Sequence, residues 1–304
     1  MTQPPPGTEA QSALTRDLDT LETIRIVDLL AREQAEAAAA VERAGGAIAR
    51  AVDAIVARMR AGGRLHYVGA GTSGRIAMLD AAECPPTFGT PPDLVVAHIA
   101  GGAEALVRAV EGAEDRAGAG ADAVRDTTTA RDAVVGISAS GGAAYVVAAI
   151  DAARKLGALT IGITSVGDSP LARAAELRIV TETGAEPIAG STRLKAGTAQ
   201  KLVLNAISTA TMIRLGRVYD NLMVDVVATN AKLHARATRL IATLAEVEAA
   251  QARELLSAAG GSVKVAFVMH RRGVDAAAAR DLLEESQGFL RPLLSRDERE
   301  ASRP

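Results

Sequence analysis

The sequence predicts a parallel α/β sandwich, and three observations point to it. Five short runs rich in β-branched residues occur at 65–68, 94–99, 132–137, 158–163 and 177–181. Segments long enough for crossover helices lie between most of them. The runs are continuously apolar rather than alternating, as expected of strands covered on both faces. Right-handed crossovers then place the loops that follow the strands along one edge of a five-stranded parallel sheet.

In chain order, residues 1–13 are Pro-rich and polar and are expected to be a disordered tail. From about Thr20 to Arg60 the period is helical. Val41, Ala44, Ile48, Val52, Ile55, Val56 and Met59 form one apolar stripe that stops at Gly62-Gly63. The five strand-like runs follow. After Arg193, Leu202, Ala206, Thr209 and Ile213, and then Leu222 to Ile241, read as long helices. Three shorter helices are expected at 244–258, 262–271 and 275–285, although Val263 to Met269 also fits a strand. The charged tail SRDEREASRP is expected to fray.

With 304 residues, 48% hydrophobic and 23% charged, the chain can bury one large core. Aromatics are 2%, so that core must be built from Ala, Val, Leu and Ile. A net charge of −2 gives no field that would draw nucleic acid or an anionic membrane. The one cysteine cannot form an internal disulfide, and the N-terminus lacks the pattern of a signal peptide. No window carries the roughly 18 consecutive apolar residues of a spanning helix. A cytoplasmic protein is expected. His66, His98, His234 and His270 have no metal-ligand spacing with Cys84, and Cys84 has no neighbouring base to make it a nucleophile.

The first strand runs into Gly69-Ala70-Gly71-Thr72-Ser73-Gly74. This matches the GxGxxG of dinucleotide sites, which also need an acid at the end of the second strand. Asp93 precedes that strand instead. Thr72 and Ser73 place hydroxyls beside the free N–H groups of a helix start, which suits a phosphate monoester. A second strand ends in Ser138-Ala139-Ser140-Gly141-Gly142, so two hydroxyl-bearing loops share one sheet edge. As a single occurrence, Ser138 and Ser140 would be read as helix caps. A third candidate, Gly190 to Gly197, offers Ser191, Thr192 and Lys195 at another helix start, either as a capped helix or as sugar-phosphate contacts.

Five stretches together resemble a known family: GAGTSGR at 69–75, Glu83-Cys84-Pro85-Pro86-Thr87, Glu111-Gly112-Ala113-Glu114-Asp115, GSTRLKAGTAQK at 190–201 and NLMVDVVATNAKLH at 221–234. They are similar to the N-acetylmuramic acid 6-phosphate etherases, with the glucokinase regulatory protein as a more distant relative. The resemblance implies an SIS-type three-layer α-β-α sandwich with a small helical C-terminal region. It divides the chain into N-terminal helices at 14–62, an SIS domain at 63–220, a helical region at 221–295 and a tail at 296–304.

The resemblance further implies cleavage of the D-lactyl ether of N-acetylmuramic acid 6-phosphate by a cytoplasmic homodimer that uses no metal or other cofactor. Glu83 would be the proton donor and Glu114 the second catalytic carboxylate. Thr72, Ser73, Ser138, Ser140, Ser191, Thr192 and Lys195 would hold the sugar phosphate, with His234 as a further contact. Two carboxylates in different environments fit elimination followed by hydration, and Glu83 is expected in an apolar setting. A non-catalytic sugar-phosphate regulator and an aldose–ketose isomerase are the alternatives on the same fold.

One departure stands out. The family reads SGRTPY after the second Ser loop, where this chain has Ser140-Gly141-Gly142-Ala143-Ala144-Tyr145. A missing hydroxyl at Ala143 removes a hydrogen bond to phosphate worth about 1.5–3 kcal/mol. Near the N-terminus the family's Ser-Thr pair is Asp19-Thr20.

Overall fold

The computed structural model describes residues 7–225 and 231–293. In chain order its regular elements are α1 (Thr23–Arg43), α2 (Gly45–Arg60), β1 (Leu65–Gly69), α3 (Gly71–Phe88), β2 (Val95–Ile99), α4 (Ala117–Arg125), β3 (Ala133–Ile137), α5 (Ala144–Lys155), β4 (Leu159–Thr164), α6 (Pro170–Ala174) and β5 (Leu177–Val180). Then follow α7 (Lys195–Arg214), β6 (Val218–Tyr219), β7 (Leu222–Met223), α8 (Ala231–Ala245), α9 (Ala249–Ala258), α10 (Val263–Arg272) and α11 (Ala276–Glu285). By their contacts the residues divide into two compact units, one of Met1–Ala82 with Pro92–Thr209, the other of Glu83–Pro91 with Ala210–Pro304.

The first unit holds a five-stranded parallel sheet in the order β2-β1-β3-β4-β5. Every residue of β1, β3 and β4 is buried, which is why these strands read as unbroken apolar runs. Side chains of Val68, Val134, Tyr145, Val146 and Ile150 pack together on one face. The strand order reverses between β1 and β3, which lie side by side with Gly69 opposite Ile137. At such a switch point the loops beyond the strand ends diverge and leave a crevice.

Two features differ from the expectation. Of the stretch expected to be a disordered tail at 1–13, residues 1–6 lie outside the described residues, and the rest holds a short 3-10 helix at Gly7–Glu9 and the start of another at Ala13–Thr15, with a third at Leu18–Thr20. Thr8 is buried and its carbonyl accepts from Gly190 N at 3.0 Å, which ties the segment down. Helix α3 also continues through Pro85 and Pro86 rather than ending at them. Both prolines lie in its last turn and have no N–H to give to the carbonyls of Ala81 and Ala82, so the helix runs on there without those two bonds.

The second unit is the helical region. Ile241, Leu256, Phe267 and Ala279 are buried together in its core. Ser262 caps α10 by accepting from Val265 N, and Asp275 caps α11 by accepting from Ala278 N. Gly273 ends α10 in the left-handed region at φ 62°. Residues 263–269 are therefore helix, because capping at Ser262 and burial along Val263–Val268 favour it over the strand alternative. The single helix expected across 222–241 is not formed. Leu222 and Met223 instead pair antiparallel with Tyr219 and Val218, and α8 begins at Ala231. The charged C-terminal tail and residues 226–230 of the NLMVDVVATNAKLH stretch lie outside the described residues.

Candidate functional site

The crevice at the switch point is a cavity of about 350 Å³. Thr72, Ser73, Glu114, Ser138, Ser140 and Thr192 line it. The first two lie on the opening turn of α3, and the two serines on the loop between β3 and α5. The first N–H groups of a helix have no intrahelical acceptor and carry the positive end of its dipole. Two helices of this kind, 18 and 12 residues long, begin at the cavity.

The loop after β1 is held close to the sheet. A Cβ at Gly74 would lie 2.6 Å from Cγ1 of Ile99 on β2. Only glycine allows that approach, so the turn and its N–H groups stay over the strand ends.

The serines are arranged as donors. Oγ of Ser138 accepts from Gly141 N at 3.1 Å, and Oγ of Ser140 accepts from Gly142 N at 3.2 Å. With an acceptor lone pair used on the backbone, each hydroxyl hydrogen can point at a ligand oxygen. Capping and ligand binding are therefore compatible here. Ala143 also lines the cavity and makes no side-chain cap for α5. Ser73 is buried and donates to Oε1 of Gln200 at 2.9 Å.

Four of the expected site residues do not line this cavity. Ser191 stands beside Thr192 but is not in its wall. Lys195 is buried, with Nζ bound to Glu33 Oε2 at 2.8 Å. Its backbone N–H and that of Ala196 donate to the buried carboxylate of Glu186, which caps α7. Lys195 thus ties α7 to α1, and its charge is already neutralised within the fold. His234 is exposed on α8 in the helical unit, where its carbonyl accepts from Thr238 Oγ1. Glu83 belongs by its contacts to the helical unit and is exposed on α3. The apolar setting expected for it is therefore absent, and buried Cys84 turns inward instead.

The structure also brings in residues that the sequence reading passed over. Glu9 lines the cavity, and so does Gly190, which lies next to it. Gln200 stands behind Ser73. Gln200 falls within the GSTRLKAGTAQK stretch and could have been noticed there; nothing local marks Glu9. Away from the cavity, His66 is fully buried and its Nδ1 lies 3.2 Å from Nε2 of His98. Burial lowers the His66 pKa to about 4, with further lowering from His98 and Arg64 and opposition from Asp132. Among the described residues no three His, Cys, Asp or Glu side chains group as a metal site. No helix among them is long and apolar enough to cross a membrane.

Comparison with known proteins identifies the lineage. Residues 47–154 match the glucokinase regulatory protein N-terminal SIS domain, and residues 113–210 match the SIS domain. The N-acetylmuramic acid 6-phosphate etherase of Serratia proteamaculans is 48% identical over 95% of this chain and 97% of its own. The chain belongs to the N-acetylmuramic acid 6-phosphate etherase family. The etherase of Edwardsiella ictaluri is likewise 48% identical, over 96% of this chain and 97% of its own. A phosphoheptose isomerase from Francisella tularensis shares the fold, with a TM-score of 0.52 at 20% identity over 64% of this chain and all of its own. The five-stranded parallel sheet of this etherase-family member is thus an SIS sheet, and its cavity lies where the two Ser/Thr loops of that domain meet.

Proposed function

We propose that the chain is a carbon–oxygen lyase that cleaves the D-lactyl ether of N-acetylmuramic acid 6-phosphate, giving N-acetylglucosamine 6-phosphate and D-lactate. The observation that carries this reading is the convergence of Thr72, Ser73, Ser138 and Ser140 with Glu114 in one cavity, in a chain 48% identical to named etherases. The hydroxyls and the two helix starts receive the phosphate. Glu114 stands beside them as a carboxylate able to exchange a proton with the sugar.

Ring opening exposes the aldehyde at C1 and acidifies the C2 hydrogen. Glu114 takes that proton, the C3–O bond breaks, and Glu83 protonates the departing lactyl oxygen. D-lactate leaves an unsaturated aldehyde. Water then adds at C3 and a proton returns to C2, so the net change is hydrolysis of the ether. Glu83 is assigned as donor from its place in the Glu83-Cys84-Pro85-Pro86 motif.

The active form is proposed to be a cytoplasmic homodimer. Ile24 and Val27 of α1 are 61% and 54% exposed, and a second copy of the chain would cover such side chains. The deciding experiment incubates the pure protein with the muramic acid phosphate and measures D-lactate. Release supports the etherase reading. Binding without lactate would make the chain a sugar-phosphate regulator, and turnover of a hexose phosphate without lactate would make it an isomerase.

A further inference from the structure

We infer that Glu9 is a sugar-contacting residue, which accepts hydrogen bonds from hydroxyl or amide N–H groups of the bound sugar and so separates phosphosugars from bare phosphate. The inference rests on the proposed reading of the cavity as a sugar 6-phosphate site. Glu9 lines that cavity together with Glu114, Thr192 and the Ser/Thr loops. Among the described residues no cation is paired with its carboxylate.

A carboxylate there repels a phosphate dianion, so it cannot be part of the phosphate cradle. Its oxygens are acceptors only and require donors. A sugar supplies hydroxyl and acetamido hydrogens, whereas inorganic phosphate offers few. The lining therefore offers two kinds of chemistry: hydroxyl and N–H donors from the α3 and α5 starts, and carboxylate acceptors from Glu9 and Glu114.

The placement of Glu9 is built into the fold. Thr8 is 1% exposed, and its carbonyl receives the N–H of Gly190 at 3.0 Å. A Cβ at Gly190 would lie 2.7 Å from Oε2 of Glu9. The space for the carboxylate thus exists because residue 190 has no side chain. Gly190 also sits at φ 75°, which an L side chain adopts only with strain. Two separate changes should therefore have the same effect. Glu9→Ala removes the carboxylate, and Gly190→Ala pushes it aside.

The test compares the dissociation constants of N-acetylglucosamine 6-phosphate and inorganic phosphate by calorimetry for the full chain and three variants. Glu9→Ala is expected to weaken the sugar phosphate by about ten- to a hundredfold and leave inorganic phosphate unchanged or tighter. Glu9→Gln, which keeps one acceptor oxygen, should lose less, and Gly190→Ala should show the same selective loss. If Glu9→Ala binds the sugar phosphate like the parent, or weakens both ligands equally, the inference is overturned while the cavity reading stands. If the unmodified chain binds neither ligand, both readings fall together.

Discussion

Ser73 Oγ and Gln200 Oε1 are 2.9 Å apart, both side chains are buried, and Nε2 of Gln200 has no hydrogen-bond partner among the described residues. In this arrangement the single hydrogen of Ser73 is spent on the amide. Turning the amide over lets Nε2 donate to Oγ and releases the serine hydrogen to a ligand oxyanion. A carboxylate cannot make that exchange. Gln200→Glu is therefore expected to raise KM for the sugar phosphate by about tenfold or more, one lost charged hydrogen bond. Unchanged competition by inorganic phosphate in this variant would show that Ser73 does not donate to it.

Ser140 should matter for a different reason. Its oxygen already accepts from Gly142 N, which leaves its hydrogen free to donate to a ligand in the cavity. Ser140→Ala is expected to cost about 1.5–3 kcal/mol of phosphate binding, read as a KM rise with thermal stability nearly unchanged. Ala143→Thr should act in the opposite direction. It supplies a cap to α5, worth about 0.5–2 kcal/mol, together with a donor at the cavity wall. A thermal shift upward and a lower KM are the two readouts. A Thr that raised KM would mean that the methyl-sized wall at 143 is needed by this ligand.

The Lys195–Glu33 pair separates a structural lysine from a ligand-binding one. Both side chains are largely buried, at 5% and 14% exposure. Lys195→Met leaves the Glu33 carboxylate unpaired inside the fold, at a cost of about 3–5 kcal/mol. The expected result is a lower melting temperature with KM for the sugar phosphate kept. A normal melting temperature with a much higher KM would return Lys195 to the phosphate site.

His66 gives the stability a pH dependence. It is neutral in the fold because burial lowers its pKa to about 4, whereas in the unfolded chain it titrates near 6.5. Its contribution is therefore complete above about pH 6.5 and is lost as pH falls toward 4, by up to about 3 kcal/mol. Asp132, also lowered, adds a loss that begins in the ordinary carboxylate range and continues below it. Urea midpoints measured from pH 7 to 4.5 should fall, and His66→Gln should flatten the slope. A parent whose midpoint did not move over that range would rule this out.

Strands β1, β3 and β4 were legible because each is buried along its whole length, so composition alone marks them. The two Ser/Thr loops were legible because the strand order puts them next to each other. What local pattern could not carry was pairing at a distance. Lys195 reads as a basic residue at a helix start until Glu33, 162 residues earlier, is seen bound to it. Glu9 sits in a Pro-rich stretch, and its position depends on Gly190. The β6–β7 hairpin did leave a trace that was passed over. Its two-residue turn, Asp220-Asn221, with Asp220 at φ 53°, is of the kind that favours tight hairpins.

The backbone bond between Thr8 and Gly190 has a practical consequence for anyone producing the protein. A start codon chosen downstream of residue 9, or a cleavable tag whose scar replaces the first ten residues, keeps the sequence of β1–β5 but removes Thr8 with its bond to Gly190. Such a product would lack Glu9, one of the residues that line the binding cavity. Activity measured on it would be a property of the cloning boundary rather than of the gene.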